Sequence, residues 1–181
     1  MNMKNYTFLE DRILDETGAE VMMDWETPMM EKHAEVVTEK GGDILEIGFG
    51  MGICSNFIQQ HNINSHTIIE IHDQVFEKLL EWAKDKPNVI PIKGDWIDSI
   101  PTKKYDGIMF DTWKDNRITQ FKELIPHHTK KGTIFTFYNS YQKEVNGYNY
   151  PAEYTKLKVN PTSQNREYFT YDTYYLPKVT F

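Results

Sequence analysis

Three glycines at every second position, Gly48, Gly50 and Gly52, close the short apolar run Ile44-Leu45-Glu46-Ile47. A run of this length and composition predicts a buried strand. The glycines predict a tight turn in which backbone approaches a ligand closely. Their spacing also separates ligand classes. A dinucleotide fingerprint needs G-x-G-x-x-G, whereas here Ile53 occupies the position of the third glycine, so an NAD-dependent oxidoreductase fails on this loop. Glu46, two residues before the first glycine, places a carboxylate at the strand end, where a cationic amino group finds a partner.

From this loop a β/α alternation extends along the chain. Strands are expected near 44–47, 66–71, 88–92, 105–111 and 132–138, with helices near 52–60, 73–85 and 116–125. Upstream, Thr27-Pro28 predicts a helix start, with Thr27 as the N-cap, an apolar stripe of Met30, Ala34 and Val37, and a stop at Gly41-Gly42. Residues 6–26 carry no clear pattern. The tail from Glu153 to Phe181 is rich in Tyr, Thr, Lys and Val around a turn-like stretch at 160–165, and predicts an antiparallel strand pair closing the sheet. Such alternation argues for a mostly parallel α/β sheet with helices on both faces. No repeat or linker divides the 181 residues, which suit a single domain.

Composition narrows the partners. The formal net charge is −7 and no compact basic cluster is present, which disfavours nucleic acid and suits a small cationic substrate. Cys54 is the only cysteine, which excludes an internal disulfide framework and fits a reducing, cytoplasmic setting. No apolar run is long enough to span a bilayer, and the first residues lack the apolar core of a signal peptide, so no membrane association is expected. A monomer or homodimer is expected. The six histidines show no zinc-site spacing, so no metal is expected either.

In open α/β sheets, ligands lie beyond the carboxyl ends of the strands. Glu70 ends the second strand, about 20 residues after the glycine loop, where an acid either accepts hydrogen bonds from ribose hydroxyls, the favoured reading, or is a solvent-exposed cap for the next helix. Gly94-Asp95-Trp96 follows the third strand. There Asp95 either meets an adenine amine with Trp96 against the purine face, or the two are a surface acid beside a core indole. Asp111 follows the fourth strand, as a ligand for a charged group or as a cap for the next helix. Glu26 precedes the first helix and alone reads only as a residue favouring the helix dipole.

Together these segments resemble a known family. The glycine loop with Glu46 looks like the S-adenosylmethionine loop of Rossmann-like class I methyltransferases. Val21-Met22-Met23-Asp24-Trp25-Glu26-Thr27-Pro28-Met29-Met30, residues 45–53, Ile68-Ile69-Glu70, residues 89–96 and residues 105–112 resemble guanidinoacetate N-methyltransferase and relatives that methylate the internal guanidino nitrogen of arginine. Arg166-Glu167-Tyr168-Phe169 and residues 176–180 resemble the family's closing strands. The resemblance implies a seven-stranded sheet, S-adenosylmethionine as cofactor, and a methyl acceptor that is a small guanidino compound such as guanidinoacetate, or another guanidino or amine substrate including protein arginine. Glu26 matches the carboxylate that grips the guanidinium, and Asp111 the one at the reacting nitrogen and near the methyl donor, with Thr112 beside it on the substrate side. Met22 and Met30 match positions lining the pocket. Glu46, Gly48, Phe49, Gly50, Met51, Gly52, Ile53 and Cys54 match the cofactor shell. So do Glu70, Ile71 and His72, and Asp95, Trp96 and Ile97. Asn139 and Ser140 match the loop whose backbone holds a substrate carboxylate. Residues 1–26 would cover the site. A base-methylating enzyme is disfavoured, because the prolines of its Asn/Asp-Pro-Pro-aromatic motif are absent after Phe110. The chain departs from the family in three places. Trp113 stands where Tyr is usual, the stretch between Ser140 and Glu153 is short by about a helix, and no counterpart of an N-terminal covering aromatic is identified.

Overall fold

A computed structural model of the protein describes residues 5–163 and 168–181. The expected alternation is present as β4 (Asp43–Ile47), α2 (Ile53–Ile58), β5 (Ser65–Glu70), α3 (Asp73–Ala83), β6 (Val89–Lys93), β7 (Gly107–Phe110), α5 (Ile118–Leu124) and β8 (Ile134–Phe137), with one short helix beyond those expected, α4 (Trp96–Ser99), between β6 and β7. The tail forms β9 (Glu153–Lys158) and β10 (Thr173–Thr180), paired antiparallel as expected. The seven strands run in the order β6-β5-β4-β7-β8-β10-β9, the first five parallel and β10 antiparallel to both its neighbours. Pro91, which cannot donate to a ladder, sits on edge strand β6, where one side needs no donors.

Alternate residues of the central strands feed opposite faces of the sheet. Ile44 and Met109 pack with Ala34, Val37, Cys54 and Ile58 beneath α1 (Thr27–Val37) and α2. Leu45, Ile47, Ile108 and Phe110 pack with Phe121 and Ile125 on the other face. Both faces are therefore buried, which is why β7 is apolar throughout and β4 carries apolar residues on both faces rather than alternating. The strand order reverses between β4 and β7, and the carboxyl ends are stitched together: Gly48 N–H after β4 donates to Ile69 O of β5, and Asp111 N–H after β7 donates to Ile47 O of β4, each at 2.9 Å.

Three local features differ from expectation. Thr27 does not cap α1 from outside. A 3-10 turn over Asp24–Glu26 precedes the helix, Thr27 is already helical, and its hydroxyl donates backwards to Asp24 O at 2.6 Å. α1 ends at Val37 rather than at the glycines, where the Thr38 hydroxyl bonds back to Ala34 O. Residues 6–26, unpatterned in sequence, hold a small antiparallel sheet of β1 (Thr7–Phe8), β2 (Arg12–Leu14) and β3 (Glu20–Met23). Its strands of two to four residues are too short for period-two alternation to register. The shortened stretch 139–152 forms turns without a helix, and Tyr148 covers the core from it, packed among Phe110, Phe121, Phe135 and Phe137. Part of the turn-like stretch, Gln164 and Asn165, and Arg166 and Glu167 of the closing segment lie outside the described residues.

Candidate active site

A cavity of about 290 Å³ opens at the carboxyl ends of β4, β5 and β7. The glycine loop forms one wall because backbone, not side chain, must lie there. A Cβ on Gly48 (φ +92°) would stand 1.8 Å from Asp111 O, and one on Gly50 (φ +55°) would stand 2.5 Å from Met22 Sδ. At the end of β5, the Glu70 carboxylate is held by two backbone donors, Phe49 N–H at 3.0 Å and His72 N–H at 2.7 Å. Burial raises its pKa while these donors oppose the rise. Trp96 also lines the cavity, its indole N–H tied to Asp115 at 2.7 Å.

The other half of the cavity is acidic. Glu26 is 1% exposed. Its Oε1 accepts from Met23 N–H at 2.9 Å and from the Tyr168 hydroxyl at 2.8 Å. Burial, followed by the charge of Asp111, pushes its pKa up to about 8. Asp111, at the end of β7, keeps some surface open to the cavity and its carboxylate has no hydrogen-bond donor among the described residues. Enclosure by protein, with the Glu46 charge nearby, pushes it up to about 7. Glu46 also lines the cavity, with Oε2 accepting from Ser55 Oγ at 2.6 Å and facing His66 Nε2 at 2.8 Å. Two further polar atoms, Thr112 Oγ1 and Trp113 Nε1, are buried beside the cavity without a partner among the described residues. Acids so enclosed are costly unless a cation joins them. The donor set thus suits a positively charged ligand next to one that needs a backbone cradle and an acid at β5.

Most of the expected residues converge here. Met22, Glu26, Met30, Glu46, Gly48, Phe49, Gly50, Cys54, Glu70, Ile71, His72, Trp96, Asp111 and Thr112 all line the cavity. Met51, Gly52, Ile53, Asp95, Ile97, Asn139 and Ser140 do not. Gly52 and Ile53 begin α2, and Met51 donates its N–H to Met22 Sδ. Asp95 caps α4 by accepting Ile97 N–H and pairs with Arg117 at 2.6 Å, so its two oxygens are already engaged. That arrangement agrees with the surface-acid reading of Asp95, although Trp96 does reach the cavity. Asn139 N–H donates to the Tyr174 hydroxyl at 2.8 Å, and Ser140 is exposed.

The residues that sequence reasoning missed come from segments without pattern. Tyr6 lines the cavity and stacks on His72 with centroids 3.7 Å apart and planes at 12°, an aromatic on the N-terminal side after all. Ile13 and Val21 join it from the small sheet. Tyr168 comes from the connection between β9 and β10. Lys114 (φ +53°) pairs with Asp15 at 2.9 Å, tying the β7–α5 loop to the turn between β2 and β3. Only the family resemblance had pointed near Val21 and Tyr168; nothing marked Tyr6, Ile13 or Lys114.

Comparison with known proteins adds to this geometry. Residues 4–144 match the family model described as guanidinoacetate N-methyltransferase. The chain is 30% identical to protein arginine N-methyltransferase 2 of Candida glabrata, over 96% of this chain and 50% of that one. It is 40% identical to the protein of the same name from Aspergillus oryzae, over 59% of this chain and 26% of that one. The chain spans about half the length of the curated relatives it matches end to end. Among solved structures, it resembles the N-methyltransferase NodS of Bradyrhizobium japonicum WM9 in complex with S-adenosyl-L-homocysteine, with a TM-score of 0.65 at 11% identity, covering 86% of this chain and 87% of that one. The glycopeptide N-methyltransferase MtfA complexed with S-adenosyl-L-methionine aligns with a TM-score of 0.52 at 14% identity, over 85% and 70% of the two chains. At these identities the solved structures speak for the fold alone, which is that of Rossmann-like class I methyltransferases.

Proposed function

The chain belongs to the guanidinoacetate N-methyltransferase family, and from that premise we propose that it is an S-adenosylmethionine-dependent N-methyltransferase that modifies a guanidino nitrogen. The observation that carries the reading is the pair of enclosed acids, Glu26 and Asp111, facing the same cavity as the glycine loop. The loop, Glu70 and Trp96 would hold the cofactor, and the fit is supported by the bare backbone that Gly48 and Gly50 present to the cavity beside the buried Glu70 carboxylate. When bound, the cofactor supplies an electrophilic methyl group.

What this chain contributes is charge and orientation. A guanidinium has a pKa of about 12.5–13.8, so it arrives protonated and is a poor nucleophile. Its planar N–H donors match carboxylate oxygens, so two acids can hold it in one orientation, and such positioning contributes at most roughly 7–11 kcal/mol. The acceptor nitrogen must lose one proton, because both guanidinium and methylated product carry a single positive charge. Asp111, lacking a donor of its own, is placed to take that proton. The cover expected of residues 1–26 is provided, among the described residues, by Tyr6, Ile13 and Met22, and the chain works as one domain, a monomer or homodimer in the cytoplasm.

Two acceptors remain within this class. Guanidinoacetate, giving creatine, needs a partner for its carboxylate; arginine within a peptide does not. Arginine is favoured by one observation: Asn139 N–H, expected to hold that carboxylate, is engaged by Tyr174, and neither Asn139 nor Ser140 reaches the cavity. The names of the fungal relatives point the same way. The test is transfer from methyl-labelled cofactor to guanidinoacetate, free arginine, and an arginine-containing peptide, with the product located by mass spectrometry. Label on a guanidino nitrogen supports the reading. Tight cofactor binding with no transfer to any acceptor would reduce the protein to a binding module.

A further inference from the structure

Tyr168 is held as few surface-loop residues are. Its ring lies 5.8 Å from that of Trp113, 6.4 Å from Tyr138, and 6.4 Å edge-on from Trp25. Its hydroxyl donates to Glu26 Oε1 at 2.8 Å across 142 residues of sequence, while Met23 N–H donates to the same oxygen. Burial pushes the Tyr168 hydroxyl well above the ordinary tyrosine range, so it remains a donor at any working pH. Glu26 Oε2 has no donor among the described residues and belongs to a carboxylate that lines the cavity.

We propose that Tyr168 is the positioning residue for Glu26, fixing one carboxylate oxygen so that the other is presented to the acceptor cation. This rests on the reading of Glu26 as the guanidinium clamp. A donor to a carboxylate favours the ionised form, which is the form that pairs with a cation. Around Glu26 every other titratable neighbour works against ionisation or is neutral: Asp111 from the end of β7, Glu20 on β3, itself paired with Arg12, and the hydroxyl of Tyr138 beyond β8. Met23 N–H is the only other donor on Glu26 among the described residues. Among the described residues, Tyr168 is thus the one side chain that both orients Glu26 and offsets its burial.

The experiment titrates glutamate carboxyls by NMR in carboxyl-labelled wild type, Tyr168→Phe and Glu26→Gln, the last identifying the Glu26 signal. Loss of a hydrogen bond to a charged group moves the Glu26 midpoint up by about one pH unit in Tyr168→Phe. The KM for a guanidino acceptor then rises about tenfold near pH 7 and recovers above the new midpoint, while kcat at saturation holds. Fluorotyrosine introduced at position 168, a stronger donor of the same shape, moves the midpoint down and keeps the test available if the phenylalanine variant fails to fold. An unmoved midpoint in either folded variant overturns the proposal, even if the wild type methylates guanidino compounds. A moved midpoint in a protein that methylates none of them upholds it and removes the catalytic reading instead.

Discussion

At the scale of residues, the site is governed by what enclosure does to acids. Glu26, raised from 4.5 to about 8, and Asp111, raised from 3.8 to about 7, are favoured in their protonated forms. The sign follows: the folded protein binds these protons more tightly than the unfolded chain, so the stability they contribute is present below about pH 4 and is lost as pH rises through 7 and 8. A cation reverses this by favouring the charged forms. Acceptor binding therefore strengthens as pH rises from 6 to 8.5, and binding near pH 7 releases protons, which calorimetry in buffers of differing ionisation enthalpy detects. In the same series Glu26→Gln is more thermostable than wild type at pH 9 and indistinguishable at pH 4. Affinity independent of pH, with no proton release, would mean that the acids do not meet the ligand's charge. His33 shows the opposite case. It bridges Thr136 and Tyr174 as a neutral imidazole lowered to about 3 by burial, so its contribution is lost as pH falls below the unfolded value of 6.5.

At the scale of elements, the loop after β4 carries the tightest constraint. Gly48→Ala places a methyl against the Asp111 carbonyl in a left-handed conformation, and both chains at that crossing are backbone that cannot swing away. The variant loses cofactor binding and more than about 3 kcal/mol of stability, measured by denaturant unfolding. An alanine variant of wild-type stability would show that the loop has room to relax. This element was legible in the sequence because glycine spacing is a direct signature of backbone geometry. The acids at Glu46, Glu70 and Asp111 were legible for a related reason, since strand ends can be located from apolar runs. Glu26 was not readable as a ligand from its own surroundings and needed the family resemblance. Tyr6 and Lys114 were illegible because three-dimensional closure, not local periodicity, brings them to the cavity. Asp95 shows the complementary failure. Its position after β6 was read correctly, but helix capping and Arg117 compete for the same carboxylate.

At the scale of the whole molecule, the strand order reverses between β4 and β7, and the cavity lies at that point, as the fold dictates. The small sheet β1–β3 supplies Ile13 and Met22 to the cavity and is pinned to the body by two different forces. The Tyr6–His72 stack is nearly parallel and partly desolvated, whereas the Lys114–Asp15 pair involves a lysine side chain that is 60% exposed. Asp15 is itself buried, but it keeps its Thr17 and Ala19 donors when the solvent-screened lysine is lost, so the aromatic contact dominates. Tyr6→Ala accordingly weakens cofactor binding about tenfold, while Lys114→Ala changes it by less than about threefold; equal effects would show that the cover is held by charge. Above these details stands the claim that one cavity joins a backbone cradle to a pair of acids that receive a guanidinium. The most direct test is single-turnover methyl transfer to an arginine-containing peptide and to guanidinoacetate, comparing wild type with Asp111→Asn at saturating cofactor. The account predicts a rate at least about 100-fold lower in the variant, with cofactor affinity nearly unchanged. Wild-type rates in Asp111→Asn would contradict it.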